Sequence, residues 1–317
     1  MGQRRAAMGR VRDMPTLSDK PVIIMLAAGM AKRYGGCKPL APVGLHGEAL
    51  IDVNASDALS AGFGDVVLVL GPQTGPAIEY HVEKTWPTTV VAHMARQPVP
   101  LGTAHAALCA RRFVGDRPFA LVNADDIYGV PALRLLADHL VSAPDHANVA
   151  YRLADTIVTG DPVTRGTCEL GDDGMLRAIV ERKLVRRHED GRFTADDGRE
   201  PAELDPLTLV SMNLWGLRPE IWPVLESSVV AVHPKVGPDG NVGEALASVD
   251  EVLLPEVVGD LVTGRIPGTA LQAVRVLHGQ GRCIGVTHAD DLPVVRNELA
   301  VMIGHGQRPE GLWADQE

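Results

Sequence analysis

The chain has little cysteine, few aromatic rings and no long apolar run, and each shortage closes off a class of protein. Its four cysteines, Cys37, Cys109, Cys168 and Cys283, stand far apart with no C-x-x-C pair, which suggests neither a zinc knuckle nor a disulfide scaffold. A reducing cytoplasm is the expected compartment. Phe, Trp and Tyr number four each, too few for the stacking platforms of single-strand nucleic-acid binders. Acidic side chains outnumber basic ones by 40 to 30, so a net charge of −10 opposes general affinity for nucleic acid. The histidines include no H-E-x-x-H, and no apolar run reaches the roughly eighteen residues of a membrane helix. Residues 1–19 are basic, with Arg4, Arg5, Arg10 and Arg12, and lack an apolar stretch of signal-peptide length; a flexible tail is expected there.

What is present is a globular composition. Hydrophobic residues at 45% and charged residues at 22% suffice to bury a core, so disorder throughout is excluded. From Pro21 onward the pattern repeats strand, loop, helix, strand. Pro21–Leu26, Asp65–Leu70, Thr88–His93 and Phe119–Val122 read as buried strands, with helices at Ala49–Ala61, Pro76–Lys84 and Ala104–Arg112. Thr167–Leu170, Met175–Glu181 and Leu207–Leu217 read as later strands with little helix between them. The expected fold class is α/β: a Rossmann-like, mixed, mostly parallel sheet flanked by helices, with antiparallel additions in the C-terminal half. No linker divides the chain, so residues 20–317 are taken as one domain with a first half to about 150 and a specialised C-terminal half beyond. The charged, glycine-rich stretch His188–Glu203 reads as a projecting hairpin or flexible insertion. Helices are expected at Pro219–Leu225 and Leu292–Ile303.

Three segments carry chemistry. The first, Leu26-Ala-Ala-Gly-Met-Ala-Lys-Arg-Tyr-Gly-Gly-Cys-Lys-Pro-Leu40, follows the first strand directly. Small residues there let backbone N–H groups approach phosphate oxygens, while Lys32, Arg33 and Lys38 supply positive charge. Neither the Walker spacing nor G-x-G-x-x-G is present. The second is Gln97 followed by Leu101-Gly-Thr-Ala-His-Ala-Ala-Leu108, where Gly102 admits a planar base against the main chain and Thr103 can cap the following helix. The third is Leu121-Val-Asn-Ala-Asp-Asp-Ile-Tyr-Gly129, whose carboxylates at a strand end suit Mg²⁺. Asp125 is the candidate ligand, and Asp126 reads as a cap for a helix beginning near Pro131.

These segments resemble the sugar-phosphate nucleotidyltransferases, or NDP-sugar pyrophosphorylases, whose L-A-A-G-x-G-x-R…K-P signature opens a glycosyltransferase-A-type domain. The resemblance extends through most of Pro21–Trp313 and implies a nucleotide-binding half to about 150 and an acceptor-binding half beyond. It implies that Leu26, Ala27, Ala28 and Gly29 wrap a nucleoside triphosphate, that Arg33 and Lys38 grip its phosphates, and that Gln97, Gly102 and Thr103 recognise base and ribose. Asp125 would hold Mg²⁺. Arg165-Gly-Thr-Cys-Glu-Leu and Ala178-Ile-Val-Glu-Arg-Lys183 resemble the family's G-x-[VC]…[IV]-x-E-K segments, so Glu181 would meet ring hydroxyls and Arg182, with Lys183 as a substitute cation, the acceptor phosphate. Ser211-Met-Asn-Leu-Trp-Gly216 makes Asn213 a further acceptor contact. The family often adds a second metal aspartate near the C-terminus, where this chain has Gly285; Asp290 or Asp291 would then reach the ion from a shifted position.

The implied reaction joins an NTP to a sugar or cyclitol 1-phosphate, giving an NDP-sugar and pyrophosphate. The acceptor phosphate's second pKa, about 6, makes it a ready nucleophile, so no Ser–His–Asp arrangement is needed. A non-catalytic sugar-nucleotide-binding subunit of the same fold, motivated by Gly285, and a dinucleotide-dependent oxidoreductase are the alternatives. The expected partners are the NTP and the sugar or cyclitol 1-phosphate, with no nucleic acid and no membrane. A homo-oligomer stays open.

Overall fold

The computed structural model of the chain describes residues 19–29, 35–157, 161–243, 246, 248–286 and 291–313. The expected tail lies outside the described residues except for Asp19. Strand β1 (Val22–Ala27) is apolar along its length, as a strand covered on both faces must be. Its side chains alternate between two clusters. Val22 and Ile24 face one side of the sheet, while Ile23, Met25 and Ala27 face the other. β2 (Asp65–Leu70), β3 (Ala92–Arg96) and β4 (Phe119–Asn123) complete a parallel set ordered β3-β2-β1-β4. Helices α1 (Leu50–Ser60) and α2 (Gly75–Thr85) cover one face, and α3 (Thr103–Val114) covers the other. The third strand starts later than Thr88 because a turn after Pro87, closed by the Val90 N–H on the Pro87 carbonyl, occupies its expected beginning.

Beyond β4 comes a two-residue strand, β5 (Asp126–Ile127), then α4 (Val130–Ser142) on the α1 and α2 face. β6 (His146–Arg152) follows. β7 (Val163–Leu170) and β8 (Leu176–Arg187) form a long hairpin, extended at its edge by β9 (Phe193–Thr194) and β10 (Glu203–Leu204). β11 (Leu209–Leu217) runs antiparallel to β4, β6 and β7 and so joins the two halves. α5 (Trp222–Val232) and α6 (Leu254–Val262) pack with α3, and β12 (Val274–His278) returns parallel to β6. β13 (Ile284–Gly285) pairs with β5, and α7 (Leu292–Gly304) closes a third apolar cluster around Leu50, Ile127 and Val286.

Two expectations change. The division near residue 150 cuts through β6, whose neighbours β11 and β12 both come from later in the chain. Of the two readings of the 188–203 stretch, the hairpin holds, since β9 pairs antiparallel with β8 and β10, and the flexible insertion does not. Phe193, Ala195 and Leu204 are buried against Leu153, Ile157, Val185 and Val210, so a few apolar side chains among many charges anchor it. No described helix is long and apolar enough to cross a membrane.

The end of the described chain is tied to α1. Arg308 donates from Nε (3.1 Å) and Nη2 (2.9 Å) to Asp57 Oδ1, with both residues buried. Burial pushes the Asp57 carboxyl up, and the Arg308 charge opposes that shift. The Trp313 N–H donates to Ser56 Oγ, and its ring lies 5.3 Å from that of Trp86. Removing one partner of a buried pair strands the other charge. Arg308→Ala should therefore lower the unfolding free energy by about 3–5 kcal/mol, read from urea denaturation at neutral pH.

Candidate active site

The loops that follow the parallel strands meet where β4 stops. Tyr128, fully buried, sets this end: its hydroxyl accepts the Asn123 N–H (3.0 Å) and donates to the Met212 carbonyl (2.9 Å). The Tyr151 hydroxyl in turn donates to the Tyr128 carbonyl (2.9 Å). Ala124 donates its N–H to the Leu26 carbonyl and accepts from Asn54 Nδ2. The turn that carries Asp125 is thus held from β1, α1 and β11 at once.

Asp125 faces Lys38 across a cleft of about 990 Å³. Lys38 Nζ donates to Asp125 Oδ2 at 2.6 Å, joining residues 87 apart in sequence. Thr103, Glu181, Lys183 and Asn213 also line this cleft, so six of the expected site residues share it. Leu26, Ala27, Ala28 and Gly29 continue β1 on the same edge but do not line the cleft. Arg33 and Asp290 lie outside the described residues.

Several side chains occupy places other than the expected ones. Arg182 is buried and turned away. Its Nε donates to Asp197 Oδ2 (2.7 Å) and its Nη2 to Asp197 Oδ1 and the carbonyls of Arg199 and Pro201. The Arg182 hydrogen bond holds the Asp197 carboxyl far below the usual range. An arginine between two exposed neighbours on a strand points opposite to both, which is why Glu181 and Lys183 reach the cleft and Arg182 does not. Asp291 is buried at the start of α7 and is not a lining residue.

Gly102 has φ +93°, and a Cβ there would stand 2.4 Å from the Val252 carbonyl oxygen. The close approach it permits is to another segment of main chain: Val252 donates to the Leu101 carbonyl and accepts from the Ala104 N–H. Thr103 Oγ1 accepts the Leu254 N–H (2.8 Å), so it caps α6 and not its own helix. Gln97 is buried, and its Nε2 donates to the Gly102 carbonyl (3.0 Å) and lies 3.1 Å from His105 Nδ1.

Asp126 is no helix cap, since Gly129 takes that position for α4. Asn123 Nδ2 donates to Asp126 Oδ2 (2.8 Å), and burial together with the adjacent Asp125 pushes the Asp126 carboxyl up to about 6. An ideal Cβ at Gly285 would meet Asp126 Oδ1 at 2.5 Å, so the missing side chain on β13 is what gives this carboxylate its room. Asn213 sits in the β11 bulge at φ +59°, a conformation asparagine tolerates better than most residues. Its Oδ1 accepts from Trp215 Nε1, and its Nδ2 lies 3.5 Å from Asn123 Oδ1.

Sequence reasoning quoted the segments that hold Asn123 and Arg165 without giving either a role, and it missed Asp197 and the wall formed by α6. The apolar spacing Leu254, Val257, Val258, Leu261 was a usable helix signal. Nothing local marks Asp197 as the partner of Arg182.

Residues 23–184 match the family model described as the MobA-like NTP transferase domain. A UTP–glucose-1-phosphate uridylyltransferase of Bacillus subtilis (strain 168) is 29% identical over 140 residues, covering 36% of this chain and 48% of that protein. The low-salt glycan biosynthesis nucleotidyltransferase Agl11 of Haloferax volcanii is 26% identical over 172 residues, covering 50% of this chain and 44% of that protein. The chain thus spans about half the length of these relatives or less. Among solved structures, a UDP-glucose pyrophosphorylase complexed with UDP-glucose superposes with a TM-score of 0.60 at 14% identity, covering 89% of this chain and 99% of that one. At that identity the likeness establishes the fold.

His105 ties the Gln97 loop to the next wall, since its Nε2 lies 2.9 Å from the Gly240 carbonyl. With Gln97 donating to Nδ1, the ring is neutral with its proton on Nε2, and burial holds its pKa below the ordinary 6.5. The unfolded chain therefore binds the extra proton first. The stability contributed by the neutral ring is intact above about pH 6.5 and is lost as pH falls towards the folded-state value. His93 and His146 shift in the same direction, while Asp126 shifts the opposite way. The stability gap between wild type and His105→Gln isolates the His105 share, and it should narrow between pH 7.5 and pH 5 in urea titrations.

Proposed function

The chain belongs to the MobA-like NTP transferase family, and from that premise we propose that it joins an NTP to a sugar or cyclitol 1-phosphate, forming an NDP-sugar and releasing pyrophosphate. The observation that carries this reading is the Lys38–Asp125 pair at the mouth of the parallel strands. A lone ion pair in a cleft does little, but an arriving polyanion gives it a role. Lys38 turns to the phosphates around the reacting α-phosphorus, which frees the Asp125 carboxylate for a cation that arrives with the nucleotide.

The chemistry asks little covalent work of the protein. An oxygen of the acceptor phosphate attacks the α-phosphorus, the bond to the β-phosphate oxygen breaks, and pyrophosphate departs. Since the attacking phosphate is already largely dianionic near neutral pH, orientation and charge neutralisation dominate. Asp125 and Asp126 fit Mg²⁺, which takes one or two carboxylates and fills the remaining sites with phosphate oxygens and water. The space left by Gly285 lets Asp126 present its carboxylate beside Asp125. When bound, the ion would neutralise charge on the reacting phosphates. Asp126 so placed also answers the reason for considering a non-catalytic subunit, which was the absence of a carboxylate at 285.

Glu181 and Asn213 stand on the acceptor side, from β8 and β11, and Thr103 lies towards the base and ribose. The fold supports this division, since the parallel strands deliver the Lys38 and Asp125 side while the antiparallel additions deliver the other.

Pyrophosphate release, scored across ATP, CTP, GTP, UTP and dTTP against a panel of sugar and cyclitol 1-phosphates, tests the reading. One pair should turn over well above the rest, and silence across the matrix would refute the proposed reaction. For the active pair, Asp125→Asn and Lys38→Ala should each lower kcat by about a hundredfold or more with the unfolding midpoint little changed. Full activity in either variant would displace the reaction centre from this pair.

A further inference from the structure

The acceptor-side cation expected at Arg182 is spent on Asp197, which raises the question of what meets the acceptor's phosphate. Five described cations line the cleft: Lys38, Arg165, Lys183, Arg199 and Arg265. Three have carboxylate partners, since Lys38 pairs with Asp125, Lys183 with Glu181 (3.4 Å) and Arg265 with Asp260 (2.7 Å). Arg199 is exposed at the rim.

Arg165, half-buried on β7, is different. Its Nε donates to Thr156 Oγ1 (3.1 Å), one Nη to the Thr164 carbonyl (2.8 Å) and the other to the Thr156 carbonyl (2.7 Å). The Thr156 hydroxyl is itself fixed by donating to the Leu153 carbonyl. All three acceptors are neutral, and no carboxylate pairs with Arg165 among the described residues. The guanidinium is therefore held rigidly with no described carboxylate in ion-pair contact. It carries five N–H groups and three are engaged, so one on each Nη is left to meet something else. Two free donors on adjacent nitrogens of a clamped fork match two oxygens of one phosphate. Arg165 lines the same cleft as Asp125 and Asp126, and while burial lowers the pKa of its guanidinium, the Asp126 charge opposes that shift. An anion seated on it lies beside the reaction centre, on the side served by β7, β8 and β11.

We propose that Arg165 is the substrate-binding residue that grips the phosphate of the acceptor 1-phosphate. This rests on the function proposed above and deepens it. Holding the phosphate through a fork leaves its third oxygen to attack, and the rigid clamp means little side-chain freedom is lost on binding. Arg182 acts elsewhere, since its bond to Asp197 seats the 188–203 segment against β8.

The test uses the full chain and two variants, Arg165→Gln and Arg165→Lys. With the active substrate pair, Arg165→Gln should raise the acceptor KM by about tenfold to a hundredfold while the NTP KM stays within about twofold. Arg165→Lys, which keeps charge without the fork, should fall between. An acceptor KM changed less than about threefold in both variants, or an equal rise in both KM values, overturns the assignment. The second measurement needs no turnover: glucose 1-phosphate without nucleotide should raise the Tm of the wild type most, that of Arg165→Lys less and that of Arg165→Gln not at all. If the wild type binds glucose 1-phosphate in this Arg165-dependent way yet no substrate pair turns over, the phosphate site stands and the proposed reaction falls. If turnover occurs and the variants bind and react as the wild type does, the reaction stands and the site falls. Should Arg165→Gln fail to fold for want of the Thr156 clamp, Arg165→Lys reads the same contrast.

Discussion

The site depends on one buried hydroxyl. Tyr128 lies wholly inside the protein, where an unmet hydroxyl would cost on the order of 1–3 kcal/mol, and both its hydrogen bonds are made to main chain that changes course. One partner is the last residue of β4, and the other is Met212 in the bulge of β11. Tying these two together fixes where the strand stops and how the bulge turns. Asp125 and Asn123 on one side and Asn213 on the other are placed as a result. The polar side chains that line the cleft here are partly exposed, but their positions descend from an aromatic ring packed in the core.

The electrostatics follow the same logic, in which neighbours decide what each group can do. The cleft gathers carboxylates from several elements, Asp125, Asp126, Glu181, Glu256 and Asp260 among them, and most of the cations beside them are already matched. Matching keeps the cleft from repelling a polyanion outright without closing it to one. Pairs that are partly exposed are worth little in themselves and can be exchanged for contacts to substrate. The Arg182–Asp197 pair is of another kind. Its side chains are 5% and 4% exposed, so it anchors a segment and is not available for exchange. Arg165 stands between these cases, fixed like a structural residue but left without a carboxylate.

Much of the fold was legible in the chain. β1, β2 and β4 are apolar runs of strand length that end in small or polar residues, and that pattern has few other solutions. The helices after them were recognisable from turn residues and spacing. The 188–203 segment was not, because two buried apolar side chains, Phe193 and Ala195, among sixteen residues give no period, and only their packing against Leu153 and Val210 shows that they matter. Gly102 and Thr103 also make contacts beyond those for which they were noticed. Gly102 admits a neighbouring main chain and Thr103 caps a helix some 151 positions on, contacts that a linear reading does not contain.

By itself, the order of amino acids determined the class of fold, the strand ends that open on the cleft, and the candidacy of Lys38 and Asp125. These are local properties, set by apolar periodicity and by residue types that suit phosphate and metal. The tertiary structure alone decided which charges are free. Whether Arg182 or Arg165 can meet an anion depends on Asp197 and Thr156, and whether Asp126 has room depends on a glycine in a strand far along the chain. A charge is available only when its surroundings leave it unmatched, and those surroundings are assembled by folding.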